Sequence, residues 1–310
     1  MAHDIYNGEM AYVGREPWHG LGQRVATGCS AETMLKAAKL DWKVVKVPAY
    51  AIHDNRPIDT GQVAIVREDT GQCFGISGKR YTPVQNAETA GFFERFCKAG
   101  DLALETVGAI RGGEYVWALA KVNDEMIDIG GDRLGTYLLI ANSHKPGSGL
   151  VIKTTMIRVV CNNTLTASLN ESGWVFGNFR HNADIHTQME VARFFVQAAI
   201  DAQRKFGTDM MRLVRTRIDH DTAGRLVEKV FDINPDGDKF RHILHLFDGG
   251  QIGAELPTVQ GTAWGLLNAV TEHVDHAAGK TQDTRLKSAW FGEGDRLKRK
   301  MMDELLAIAV

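Results

Sequence analysis

Hydrophobic positions change their rhythm once along this chain. Up to about residue 181, short apolar or alternating runs are separated by Gly, Pro and Asn turns; beyond it, apolar residues recur at three- and four-residue spacing. The first rhythm predicts antiparallel strands and the second amphipathic helices. The expected fold class is therefore α+β: an antiparallel, β-rich N-terminal part with interposed helices, then a mainly helical C-terminal part. The expected domains are residues 1–181, with 1–28 as an N-terminal arm, and a helical region over residues 182–310.

Within the first part, Ser30 is placed to cap a helix reaching about Leu40. Residues 42–52 read as a strand in which Pro48 marks an edge or a bulge, and residues 62–77 as a hairpin about Asp69-Thr70-Gly71. An amphipathic helix over 83–99 then carries Phe92, Phe93 and Phe96 on one side. The order is helix, three strands, helix. A second hairpin turns at Gly112-Gly113, and a short strand covers 126–129. In the second part the spacing predicts helices over 182–206, 209–218, 221–230, 238–247, 258–276 and 285–309. Residues 1–28, with Tyr12, Trp18 and Leu21, follow neither period and read as an arm packed on this chain or on a neighbouring subunit. A homo-oligomer is expected on that ground.

Polar chemistry is densest from Gly135 to Asn170, two strands about a Gly/Pro/Ser hairpin. Asn142, Ser143, His144 and Lys145 are expected at the hairpin tip, with Lys153 and Arg158 on the strand that follows. Amides, hydroxyls and cations in such a cluster suit a phosphate. Arg180 and Arg193 open a basic stretch just after Trp174, Phe176 and Phe179, a pattern in which cations follow a nucleic-acid backbone while rings stack on bases. These residues form the candidate nucleic-acid site. An ordinary solvated hairpin and a solvated helix face fit the same pattern.

Composition narrows the alternatives. The 310 residues are 44% hydrophobic, enough for a substantial core, and a formal net charge of −2 means that any nucleic-acid affinity must come from a local basic face. Four irregularly spaced cysteines without a Cys-x-x-Cys pair argue for buried thiols in a cytoplasmic protein. No apolar run approaches a membrane span. No glycine cluster matches a Walker or dinucleotide pattern, so no cofactor is assigned. His242/His245 and His273/His276 are spaced to share a helix face, and Asp219, Asp221 and Asp275 could join them, but helical histidines are commonly surface residues. Cys161 with His144 has the types of a nucleophile and base, yet Cys161 lies in an apolar β-forming run. No catalytic residue and no metal site are assigned.

Three stretches carry a resemblance: MAYVGREPWHGLG (10–22), VREDTGQCFGISGKRYTPVQN (66–86) and RVVCNNTL (158–165). In these the chain resembles the uncharacterised phage- and plasmid-associated family known as domain of unknown function 932. That resemblance implies a mobile-element protein and no particular activity. The helix, meander, helix order also resembles the core of Redβ and Rad-type single-strand annealing proteins, at the level of fold alone. Together these imply a non-enzymatic binder of single-stranded DNA in recombination or replication. A metal-dependent enzyme of nucleic-acid metabolism and an interaction protein countering host defence remain the alternatives.

Overall fold

A computed structural model describes residues 8–14, 22–100, 102–148, 151–158, 164–166, 185–279 and 281–309. Trp18, Leu21, Cys161, Trp174, Phe176, Phe179 and Arg180 lie outside the described residues, as do the side chains of Arg158 and Arg193. The fold is the expected α+β, with antiparallel sheets and a few helices first and helices after. The sequence places one boundary near residue 181. The packing instead groups residues 1–121, 138–153 and 174–196 in one compact unit, and 122–137, 154–173 and 197–310 in another. Long strands cause the interleaving, because each contributes residues to both units.

In the first unit, β1 (Met10–Val13) pairs in parallel with β2 (Gln23–Val25) and antiparallel with β6 (Ala103–Ile110). The segment around Tyr12, expected as an arm, is thus a buried strand of this chain's own sheet. That sheet has seven strands, continuing through β7 (Tyr115–Ile129), β8 (Asp132–Ser143), β9 (Val151–Arg158) and β10 (Thr164–Thr166). Helix α1 (Ala31–Ala37) begins at Ser30, whose hydroxyl accepts from the Thr33 amide. It leads into a three-stranded meander of β3 (Val44–His53), β4 (Arg56–Arg67) and β5 (Cys73–Gly78), and α2 (Asn86–Gly100) follows. Pro48 lies on the edge strand β3, where a missing N–H costs least.

Two strands are longer than the sequence pattern predicts. β4 begins six residues before the expected 62, at Arg56, across a two-residue turn of Asp54 and Asn55 with φ of 48° and 59°. Positive φ at both positions is the primed hairpin turn whose twist matches the flanking strands. β7 likewise runs without interruption where two strands were expected.

The second unit buries a core around Trp264, whose indole Nε1 donates to Asp132 Oδ2 at 3.0 Å, both residues being fully buried. Its helices among the described residues are α3 (Ile185–Arg215) from residue 197 on, α4 (His220–Phe231), α5 (Asp238–His245), α6 (Ala263–Glu272), α7 (Gln282–Phe291) and α8 (Glu293–Ile308). α3 is one helix where two were expected. It passes through Gly207, which faces Ile127 of β7 at a distance where a Cβ would make an ordinary contact of 3.5 Å. The reverse holds for α7 and α8, expected as one helix. The chain breaks at Gly292 and turns so tightly that a Cβ on Gly294 would stand 2.6 Å from Val274.

The meander is tied to the rest of the first unit through Arg67, only 2% exposed. Its Nη2 and Nη1 donate to the two oxygens of Glu9 at 2.5 and 3.1 Å, and its Nε donates to Asp69 at 2.7 Å. Nη1 also donates to the Gly112 carbonyl at 3.0 Å, and the group lies 4.2 Å from the ring centre of Trp42. Burial works against this charge, but the bonds to Asp69 and Glu9 outweigh it and hold the Arg67 pKa above its ordinary value. Removing one partner strands the others. Arg67→Met should cost about 3–5 kcal/mol by leaving Glu9 buried and unpaired, whereas Arg67→Met with Glu9→Leu should recover most of the loss. Urea unfolding of both variants checks this; equal stability of the single and double variants would show that the pair is not coupled.

Candidate functional site

The residues expected at a polar hairpin tip are brought together, but inside the protein. Asn142 and Ser143 end β8 and His144 follows, and the three are 4%, 6% and 1% exposed. Lys153 on β9 is 8% exposed. These four therefore offer no open surface to a phosphate; Lys145 is exposed. The cause is the meander, because β5 and Trp42 close over the segment.

His144 sits among aromatic rings. Its imidazole stacks on Phe74 at 5.6 Å and meets the edge of Trp42 at 5.3 Å between ring centres. Its Nε2 lies 2.8 Å from Asn86 Oδ1, at the start of α2. Asn86 Nδ2 already donates to the Leu40 carbonyl at 2.8 Å, so Oδ1 must accept and His144 must carry its proton on Nε2. The ring is neutral. Burial first, and the Arg67 charge second, hold its pKa down to about 4, with the Val84 carbonyl opposing. Gly113, at φ 99°, admits Trp42 to this cluster, since a Cβ there would stand 2.5 Å from the indole. Trp42 Nε1 and Asn142 Nδ2 are buried with no hydrogen-bond partner among the described residues. What the arrangement does is pack and fix three segments distant in sequence.

The surface beside it is different. Pro146, next to Lys145, packs on β5 at Gly75, 3.0 Å from where a Cβ would stand. In the strand register Gly75 faces Ile65, and Ile65 faces Lys46. Lys46 Nζ donates to the Lys79 carbonyl at 3.1 Å, bringing Lys46 and Lys79 together, and Arg80 follows at once. Lys46, Lys79, Arg80 and Lys145 are exposed, and no carboxylate pairs with any of them among the described residues. Tyr50, two pairs of residues along β3 from Lys46, is 58% exposed. Of this group the sequence reading named Lys145 alone; the adjacent Lys79-Arg80 was the only further signal.

Several cations of the helical half are engaged. Arg296 pairs with Glu293, Lys298 with Asp275 at 2.8 Å in the interior, and Arg299 with Asp295. Lys300 donates to the carbonyls of Lys229 and Val230 near the end of α4. On α3, Arg204 lies 3.9 Å from Asp201. The histidine pairs are also reordered, since His242 faces His273 across two elements at 5.2 Å between ring centres. Burial, then the charges of His242 and Lys239, hold the His273 pKa down to about 4. Asp219 caps α4 by accepting from the Thr222 amide, and Asp275 is taken by Lys298. No group of three or more potential metal ligands occurs among the described residues.

A family model described as Domain of unknown function (DUF932) matches residues 73–290. The chain belongs to this family. No curated protein and no solved structure matches it. The DUF932 match begins at β5, so it takes in Phe74, Asn86 and His144, whereas Glu9, Trp42 and Arg67 lie before it.

Two buried neutral histidines make the stability of this DUF932 protein depend on acid. Each has a folded pKa of about 4 against an ordinary 6.5, so the unfolded chain binds more protons between those values. Stability is fully present above pH 6.5 and is lost as pH falls towards 4, by about 3 kcal/mol for each histidine. His144→Gln should remove one of the two contributions. Urea unfolding between pH 7 and pH 4 should show a shallower fall in the variant; an unchanged slope would mean that His144 is charged in the folded protein.

Proposed function

We propose that this protein binds nucleic acid, single-stranded DNA first of all, by contacts to its backbone at the root of the meander and without chemistry of its own. The observation that carries the reading is the group of four exposed cations, Lys46, Lys79, Arg80 and Lys145, gathered beside the meander with no carboxylate paired to any of them among the described residues. A phosphate chain supplies the missing charge. Tyr50 stands on the same strand face as Lys46 and offers a ring on which a base can stack. The α1, β3–β5, α2 order, resembling that of single-strand annealing proteins, lends support of a weaker kind. A phage or plasmid origin, a role in recombination or replication and a cytoplasmic site of action belong to the same proposal. Among the described residues no helix is long and apolar enough to cross a membrane. In this reading Asn142, Ser143, His144 and Lys153 support the surface from below, and Arg158, Arg180 and Arg193 stand as further candidate phosphate contacts.

Each phosphate neutralised on a single strand should contribute about 0.7 to the slope of log affinity against log salt. Replacing Lys46, Lys79, Arg80 and Lys145 by Ala one at a time should each lower that slope by about 0.7. Tyr50→Ala should weaken binding by about 1–3 kcal/mol and leave the slope alone. Fluorescence anisotropy with a labelled oligonucleotide reads both quantities. Absence of binding at about 50 mM salt, where backbone contacts are strong, overturns the proposal.

A further inference from the structure

The β3–β4 hairpin continues past the packed part of the meander as a ribbon exposed on both faces, from Tyr50 to Gly61. We infer that this ribbon reads bases of the single strand proposed above, with Tyr50 as a stacking platform and Asp59 as an acceptor that selects bases carrying an amino group. The inference rests on the proposed nucleic-acid function and adds a base preference to it. The register sets Tyr50 and Asp59 directly opposite each other. In an unshifted ladder Gly61 would face Tyr50, because Gln62 faces Ala49. The bulge that brings Asp59 there is fixed by three features. Thr60 Oγ1 donates to the Ala49 carbonyl at 2.6 Å, Gly61 takes a φ of 69°, and Asp59 Oδ1 accepts from the Gly61 amide at 2.8 Å.

The face around this pair suits one flat, unpaired base. Its facing residues are Lys46 with Ile65, Pro48 with Val63, Tyr50 with Asp59 and Ile52 with Pro57, and Asp59 is the acidic residue among them. Tyr50 and Ile52 are 58% and 69% exposed, and Tyr50 makes no ring contact or hydrogen bond among the described residues. Side chains two residues apart on a strand stand about 6.8 Å from each other. That gap admits one base between Tyr50 and Ile52 at the ~3.4 Å stacking distance on either side. In a duplex both faces of a base are already stacked. Lys46 lies about 14 Å back along β3, a span of a few nucleotides, so one strand reaches both the cations and Tyr50. The ribbon's other carboxylate, Asp54, lies 3.5 Å from His53 at the turn, whereas Asp59 forms no ion pair among the described residues. Its Oδ2 is left to accept from a ligand. A carboxylate repels phosphate, so beside a stacking ring it selects the edge of a base. Cytosine and adenine present amino groups, N4 and N6, as donors there. Uracil and thymine present O4 instead, and their N3–H lies between two carbonyl oxygens, so the same acceptor disfavours them.

Fluorescence anisotropy of the full chain at neutral pH, with labelled oligo(dC) and oligo(dU) of about 15 nucleotides, tests the inference. The two bases share a ring size and differ in the groups at positions 3 and 4. The wild type should bind oligo(dC) at least about fivefold more tightly than oligo(dU). Asp59→Asn puts an oxygen and an amino group in the same place, so it should bring the two affinities together, chiefly by tightening oligo(dU). A carboxylate that acted only as a general negative charge would shift both equally. Tyr50→Ala should weaken both and reduce their ratio, because the base is no longer held against Asp59. Melting temperatures of both variants should stay near that of the wild type, since both side chains are exposed. Equal wild-type affinities, or a ratio that survives in Asp59→Asn, overturn the base readout and leave nucleic-acid binding standing. Absence of binding to either oligonucleotide overturns both.

Discussion

Charge in a low-dielectric interior must be neutralised where it stands, and in the first unit that requirement falls on Arg67. Its five N–H donors and flat cation are met by Glu9 from the first described segment, Asp69 from the turn after β4, the Gly112 carbonyl and the face of Trp42. Four stretches far apart in sequence are thereby held at fixed positions around one group. The neutral His144 follows from the same constraint, since an imidazolium beside a buried guanidinium would add a second charge with no carboxylate to answer it. Glu9 feels the opposing pulls plainly: burial raises its pKa while Arg67 lowers it.

Local periodicity made much of this architecture legible, and its failures have physical causes. The helix, meander, helix order and the helical second half follow from apolar spacing that a buried face imposes. The outer half of the β3–β4 hairpin went unread because Arg56 to Gly61 are all exposed and no buried side selects an alternating pattern. Gly207 stands between the two helices expected over 182–206 and 209–218, yet α3 continues through it, since a single glycine costs a helix interior only about 1 kcal/mol. The site was less legible than the fold. Asn142, Ser143 and His144 are polar residues beside a Pro-Gly turn, and local rules put such residues in water. Their burial depends on Trp42, Phe74 and Asn86, and nothing in the local sequence announces those partners. Lys46 and Lys145 are separated by 99 positions in the chain, and only strand register and the packing of Pro146 on Gly75 relate them.

Surface charge in this protein sorts into two kinds. Several cations of the helical half, among them Arg296, Arg299 and Lys300, are engaged by neighbouring carboxylates or by helix-terminal carbonyls, and exposed pairs of that sort contribute little to stability. Lys46, Lys79, Arg80 and Lys145 have no carboxylate partner among the described residues. A net charge near zero therefore conceals an uneven distribution, in which the excess positive charge is local.

The turn at Asp54 and Asn55 carries an evolutionary consequence. Strand residues beyond the bulge touch no core, so drift in their number is limited by register alone. Adding or deleting one residue in each strand next to the turn shifts which side chains oppose each other at the tip but leaves every row below it intact. An insertion in one strand alone displaces that strand's remaining residues to the other face. Related chains can thus be expected to differ in arm length by matched steps, keeping the turn and the rows next to the bulge while the residues at the tip vary freely.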